Sequence, residues 1–169
     1  MKNLNWVQTI DLNLLTVGLM IRDQISKIKE CEKLSFLGNI YDENERAAYV
    51  DNIILKSDRS NIAKLRICAH NLEIEKGRYF QKNRTERICK ICNDLEIEDA
   101  NHFLWQCEKY KKEREILFKK VSLYYKKFPN FHNDTMKSKL LLNSKSVRFN
   151  KLCTDFISNL LKIRKDSIS

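Results

Sequence analysis

Turn-forming residues are scarce in this chain of 169 residues, which contains three glycines and one proline. Sandwiches and barrels built from many short strands need frequent turns, and glycine and proline form many of those turns. The shortage therefore argues against a many-stranded fold and favours helices joined by few sharp turns. We expect a mainly α protein, and the 43% hydrophobic content excludes full disorder.

Long apolar runs are also missing. The longest run, residues 14–21, contains Thr16 and Gly18 and is much shorter than the roughly 20 apolar residues that cross a bilayer. The first residues lack the basic segment and small-residue cleavage site of a secretory signal. We therefore expect an intracellular protein with no membrane partner, without a preference between nucleus and cytoplasm.

The charge is strongly positive, with a formal net charge of +10, and it is unevenly distributed. Residues 1–75 are close to neutral, whereas the excess of lysine and arginine begins at residue 76 and continues to the C-terminus, interrupted by an acidic stretch at 91–107. A basic surface favours polyanions, nucleic acid first among them. A solvated, lysine-rich helix face would give the same composition, so charge alone leaves both interpretations open.

Three of the six cysteines and one histidine form the pattern C-x2-C-x9-H-x4-C, made by Cys89, Cys92, His102 and Cys107. A C-x2-C turn presents two sulfurs to one ion, and a second pair at short range completes a tetrahedron. Buried packing cysteines are one alternative. A disulfide between Cys89 and Cys92 is another, although an intracellular location disfavours it. The pattern favours a structural Zn²⁺ with four protein ligands.

A basic and aromatic segment, residues 73–88, leads into this motif. Arginine binds phosphate in a bidentate manner, and aromatic rings stack on exposed bases. The alternative is a basic linker with Tyr79 and Phe80 buried against the metal loop, and both interpretations can hold together. Another set of basic residues begins the helix expected at 108–128. Together these segments supply the candidate nucleic-acid contacts Arg78, Tyr79, Lys82, Arg84, Arg87, Lys111 and Lys112.

Hydrophobic residues at three- and four-residue steps predict the helices. Helices are expected at residues 4–30, from Asp42 to about Ser57, at 60–72 with Gly77 ending the helical region, at 108–128 with Pro129 as the stop, and from Ser146 to 163. Residues 130–145 are interpreted as irregular. The apolar faces of 4–30 and 146–163 are expected to pack on each other or on a protein partner.

This pattern divides the chain into an N-terminal helical segment (1–75), a basic zinc-binding module with its following helix (76–128), and a C-terminal amphipathic helix (129–169), expected to form one compact unit. Asp99 or Asn101 is expected to cap the helix that carries His102. An enzyme with Cys107 as nucleophile and His102 as base is disfavoured, because the C-x2-C pair makes both better metal ligands and no oxyanion device is visible. Cys68 and His70 are interpreted as packing or surface groups.

Two stretches carry a resemblance to a known family: Leu65 to Tyr79, and Arg87 to Tyr110 with Arg114 beyond it. Together they resemble the C-terminal zinc-binding (CCHC) segment of non-LTR, LINE-type retrotransposon reverse transcriptase polyproteins, from about residue 40 to 118. The resemblance implies that the cysteines and histidine of the motif bind zinc and that the segment helps to hold RNA or target DNA. Basic residues of the family's pattern would be Arg66, Arg78 and Arg87.

The chain departs from that family at Ala100-Asn101, where an acid and a bulky residue are usual, and at Glu108, where proline often follows the last ligand. It lacks the polymerase motif Tyr-x-Asp-Asp and any recognisable endonuclease segment. We therefore expect a zinc-stabilised nucleic-acid-binding module without polymerase or nuclease activity, an excised tail or a cellular reuse of one. The alternatives are a helical protein-interaction module and a non-functional retrotransposon remnant.

Overall fold

The computed structural model describes residues 23, 26, 27, 30–40, 49–53, 55–92, 94–125, 128 and 133–168. Most of the expected helix at 4–30 and the expected cap Asp42 lie outside these residues. Within the part of the chain that is described, no helix is both long and apolar enough to span a membrane.

The prediction of a mainly helical protein is confirmed. The α-helices are α1 (Ser35–Ile40), α2 (Tyr49–Asn52), α3 (Lys56–Arg66), α4 (Glu73–Tyr79), α5 (Lys111–Ser122), α6 (Asp134–Asn143) and α7 (Val147–Ile168). Short 3₁₀ turns at Glu32–Leu34, Arg84–Glu86 and Glu108–Tyr110 and a π-helical turn at His102–Gln106 lie between them. The strand-like pairing among the described residues is a single antiparallel bridge between Ile88 and Ile97.

Helix α7 is the centre of the packing. Its apolar stripe, which includes Phe149, Cys153 and Leu160, is buried, and the helix contacts α2, α3, α5 and α6. The expected cap is present, since the Ser146 hydroxyl accepts a hydrogen bond from the Phe149 amide at 3.4 Å. Described helices of the chain itself cover this face. The expected packing against 4–30 lies outside the described residues, and binding of a protein partner stays a prediction.

The helix expected at 60–72 is displaced. Helix α3 begins earlier, at Lys56, and ends at Arg66, and Cys68 then takes a positive φ of 53° that breaks the helical path. Gly77 does not end a helix either, because it lies inside α4. A Cβ at Gly77 would lie 2.9 Å from the Cδ of Arg87, so glycine is required by close approach of that side chain.

Two expectations in the C-terminal third are also wrong. The helix expected at 108–128 is a 3₁₀ turn followed by α5, which ends at Ser122, before Pro129. The segment 130–145, interpreted as irregular, contains α6, capped by Asn133, whose side chain accepts from the Thr135 amide at 2.8 Å. Three consecutive leucines at 140–142 hide the helical period in the sequence, and two of them are fully buried.

Candidate metal centre

A short hairpin-like loop carries the first two residues of the motif. The Cys89 amide donates to the Glu96 carbonyl at 2.8 Å, and the Glu98 amide donates to the Arg87 carbonyl at 2.9 Å. Leu95 closes the loop with a φ of 53°. This pairing fixes the backbone on both sides of the loop, so that Cys89 and Cys92 are presented from one tight turn.

A π-helical turn carries the other two residues. The Asp99 carboxylate accepts from the His102 amide at 2.9 Å, which confirms Asp99 as the cap of this segment. The Cys107 amide then donates to the His102 carbonyl at 2.8 Å, the five-residue step of a π-helix. This wide turn, rather than the α-helix expected from sequence, sets the relative positions of His102 and Cys107.

The four side chains converge on one point. Their potential ligand atoms all lie within 4.8 Å of one another, and the Cys92 Sγ is 3.3 Å from the His102 Nε2. Cys89, His102 and Cys107 are buried, and Cys92 is partly exposed. All six cysteines are free thiols, so the alternative disulfide between Cys89 and Cys92 is not formed. The cluster could therefore hold a metal ion.

Within the cluster, negative charge is stabilised on the sulfur of Cys89, whereas burial raises the pKa of Cys92 to about 11 and the hydrogen bond with Cys89 raises the pKa of Cys107. Hydrogen bonds from the Cys107 thiol, from His102 and from the backbone around Ile91 and Cys92 lower the pKa of Cys89 to about 3, against the opposing effect of burial. Burial acts to lower the pKa of His102, but the hydrogen bond with Cys89 and the negative charges nearby raise it. The surrounding hydrogen-bond donors stabilise the negative charge of the thiolate, and a cation bound by the sulfur would stabilise the same charge.

Beside the cluster lies a buried ion pair that the sequence interpretation missed. Glu98, which is 1% exposed, receives two hydrogen bonds from the guanidinium of Arg164, at 2.8 and 2.7 Å. It also accepts from the Glu73 amide at 2.7 Å, and its other oxygen is 3.9 Å from the Cys89 Sγ. One signal was available: Arg164 continues the buried spacing of Ile157 and Leu160, and a charge on a core face requires a partner.

The motif is also anchored in the aromatic core. Trp105, in the π-helical turn, stacks on Phe118 and Phe156 at centroid distances of 6.5 and 6.1 Å. Its indole N–H donates to the Ser138 hydroxyl of α6 at 2.7 Å. The segment between the last two motif residues is therefore fixed to α5, α6 and α7.

Most of the candidate nucleic-acid residues are accessible. Tyr79 and Phe80 are 84% and 68% exposed and meet edge to face at 5.4 Å, so the alternative that buries them against the metal loop is wrong. Arg78 is partly buried and donates to Glu75 at 2.8 Å. Solvent reaches the remaining candidates other than Arg87, namely Lys82, Arg84, Lys111 and Lys112.

Arg87 is placed differently. It is 9% exposed, its guanidinium donates to the Lys82 carbonyl at 3.1 and 2.8 Å, and it reaches the Ile74 carbonyl at 3.3 Å. Through these bonds the Arg87 side chain joins α4 to the loop that precedes the motif. Arg87 therefore positions the segment and is not part of the accessible basic surface.

Fold and site together define a mainly helical protein with a Cys₃His cluster able to hold a metal ion. No family model, no curated protein and no solved structure matches the chain. The resemblance to the tail of retrotransposon reverse transcriptases stays a prediction that rests on the sequence motifs alone.

Proposed function

We propose that this protein is a zinc-stabilised, non-enzymatic nucleic-acid-binding module. The observation that carries the proposal is the convergence of three thiols and one imidazole within 4.8 Å. Zinc prefers this donor set, and a tetrahedral ion with Zn–S bonds of about 2.3 Å places sulfurs roughly 3.8 Å apart, within the spread of the cluster. Four protein ligands leave no open coordination position, as in structural rather than catalytic zinc sites.

The ion would act on folding. The residues of the cluster come from a hairpin-like loop and a π-helical turn, neither of which is long enough to be stable alone. Binding one ion to both joins them, and the free energy of binding then becomes folding free energy of the module. Arg164 and Trp105 extend this effect to α7 and α6 through the contacts described above.

Nucleic acid is the partner that the surface favours. Exposed Tyr79 and Phe80 are followed at once by exposed Lys82 and Arg84, and Lys111 and Lys112 begin α5 just after the last cysteine of the motif. Aromatic rings beside cations are the elements with which proteins bind single strands, by stacking and phosphate contact. The resemblance to the retrotransposon segment supports the same partner, RNA or DNA.

Salt dependence tests the proposal. The zinc-loaded chain should bind a short single-stranded RNA or DNA with an affinity that falls steeply as salt rises, because phosphate contacts release counterions. Replacing both Lys82 and Arg84 by alanine should reduce the slope of log affinity against log salt by roughly 1 to 2. The matched control replaces Lys162 of α7, an exposed lysine distant in sequence from the motif. Absent or salt-independent affinity would contradict the proposal.

The alternative of a protein-interaction module depends on two apolar helix faces being available to a partner, and one of them is not available. The apolar face of 146–163 is buried within the chain, and the other face, at 4–30, lies almost entirely outside the described residues. A chain that binds zinc but no nucleic acid would favour that alternative or a non-functional remnant.

A further inference from the structure

The carboxylate of Glu98 lies against the metal cluster. Its Oε1 is 3.9 Å from the Cys89 Sγ, and the residue is 1% exposed, so water and salt screen its charge only weakly. The backbone explains this proximity, because Cys89 donates to the Glu96 carbonyl and Glu98 donates to the Arg87 carbonyl across the same hairpin-like loop. Folding of the loop therefore places a second negative group beside the sulfur of Cys89.

Metal binding makes this proximity unfavourable unless the carboxylate is neutralised. A cysteine that binds zinc is a thiolate, so the negative charge of three such ligands exceeds the positive charge of one Zn²⁺. The sulfur of Cys89 then has no proton to donate to Glu98, and a thiolate and a carboxylate repel each other across 3.9 Å. Such repulsion is strong where both groups are removed from water.

Arg164 of α7 supplies a positive charge at this point. Its Nε donates to the Oε1 of Glu98 at 2.8 Å, and its Nη2 donates to the Oε2 at 2.7 Å. The oxygen that receives the Nε–H is the same oxygen that faces the Cys89 sulfur. The Arg164 side chain is 7% exposed, and arginine keeps its charge even when buried. The guanidinium therefore neutralises Glu98 on the side that faces the metal cluster.

A second buried acid, Glu73, adjoins the same arginine. Its Oε1 is 4.0 Å from the Nη2 of Arg164, and its Oε2 is 3.1 Å from the Nζ of Lys90. The Lys90 side chain is 55% exposed, so solvent screens its charge far more than that of Arg164. Arg164 thus lies between two buried carboxylates and would keep one partner if Glu98 became neutral.

We propose that Arg164 is a positioning residue of the metal centre, which raises the affinity of the cluster for a divalent cation by holding and neutralising Glu98. Replacing a group that adjoins the ligands of a metal typically costs about 10- to 100-fold in affinity. The inference rests on the metal-binding part of the proposed function and deepens it, because it makes metal affinity depend on the C-terminal helix α7, which carries none of the four ligands.

Competition with a chromophoric zinc chelator at pH 7 measures the affinity of the full chain for zinc. Arg164→Met should bind zinc about 10- to 100-fold more weakly than wild type, because Glu98 stays charged beside the thiolate. Glu98→Gln should bind zinc at least as tightly as wild type, because it removes the repelling charge and leaves Arg164 beside Glu73. The matched control, Lys151→Met, breaks an exposed ion pair on the same helix and should bind zinc like wild type.

The two single substitutions separate an effect of charge from an effect of folding. Both break the same buried ion pair, so a purely structural role of that pair would weaken zinc binding in both variants. Combining Arg164→Met with Glu98→Gln leaves two neutral side chains and should return the affinity to near the wild-type value. If Arg164→Met alone does not fold, Glu98→Gln and the double variant still test the proposal, because weaker zinc binding than wild type in both would overturn it.

Absorption spectra with Co²⁺ in place of Zn²⁺ report the ligands themselves. At saturating Co²⁺, Arg164→Met should show the same thiolate charge-transfer and ligand-field bands as wild type, because it keeps all four ligands and loses only affinity. Bands of a different ligand set would overturn the proposal.

The outcomes also distinguish this inference from the proposed function. If wild type binds zinc and the two single substitutions weaken binding equally, or Arg164→Met does not weaken it, the role of Arg164 is wrong and the proposed function stands. If wild type binds no zinc, both fail.

Discussion

The buried ion pair between Glu98 and Arg164 gives the sharpest prediction about stability. Replacing Arg164 by methionine keeps the aliphatic stem and deletes both hydrogen bonds to Glu98, at 2.8 and 2.7 Å. Glu98 would then be a carboxylate, 1% exposed, with one remaining hydrogen bond, from the Glu73 amide, and the Cys89 sulfur 3.9 Å away. That arrangement leaves a negative charge buried next to the sulfurs of the metal cluster.

The magnitude follows from the burial. Removing one partner of a buried pair costs about 3–5 kcal/mol, because the other charge remains in a low-dielectric interior. An exposed pair is worth about 0–1 kcal/mol. Helix α7 carries both kinds: Lys151 and Asp155, 3.7 Å apart, have side chains that are 77% and 52% exposed. Lys151→Met is therefore a matched control on the same helix.

Urea unfolding of the metal-loaded protein at pH 7 measures the difference. Arg164→Met should lower the free energy of unfolding by about 3–5 kcal/mol and Lys151→Met by less than about 1. Adding Glu98→Gln to Arg164→Met should restore part of the loss, because it removes the uncompensated charge. Equal effects of Arg164→Met and Lys151→Met would refute the reasoning.

Three further predictions concern single side chains. Gly77→Ala should lower the free energy of unfolding in urea by about 1–3 kcal/mol, because the new methyl group meets the Arg87 side chain. This is the expected net loss, despite the roughly 1 kcal/mol that alanine gains over glycine in a helix. A more stable variant would contradict this prediction. Ser138→Ala should cost about 1–3 kcal/mol by leaving the buried indole N–H of Trp105 without its acceptor, and unchanged stability would count against that bond. The folded-state pKa of His70 lies near 4, below its ordinary 6.5, so between these pH values the unfolded chain binds more protons than the folded chain. The free energy of unfolding of wild type should therefore fall by up to about 3 kcal/mol as the pH falls through that window. His70→Leu should lack that component, so parallel pH profiles of the two proteins would exclude it.

The candidate site could be predicted from the sequence because its residues lie close together along the chain. The four motif residues lie within 19 positions, and their spacing alone identifies a group that the structure brings within 4.8 Å. Asp99, three residues before His102, is one of the two caps that local order predicts, and it is the one that bonds the His102 amide. The signal is short-range because each pair is presented by a single turn.

What escaped prediction depends on distant partners. In the sequence Glu98 is one of several acids in the stretch 91–107, and its partner Arg164 lies 66 residues away. Gly77 looked like a helix end, because nothing nearby in sequence shows that the stem of Arg87 crosses it. Arg87 itself looked like a phosphate contact, whereas its guanidinium is bonded to backbone carbonyls. Helical periodicity predicts faces but does not tell which surface covers them, which is why the buried face of α7 looked available to a partner.

Native mass spectrometry of the full chain, with and without a chelator, tests the central claim most directly. A metal bound by Cys89, Cys92, His102 and Cys107 predicts a mass increase of one zinc per chain, lost with chelator and in Cys89→Ser, and retained in Cys153→Ser, which alters a buried cysteine outside the cluster. A chain that carries no metal, or whose zinc survives Cys89→Ser unchanged, would contradict the account.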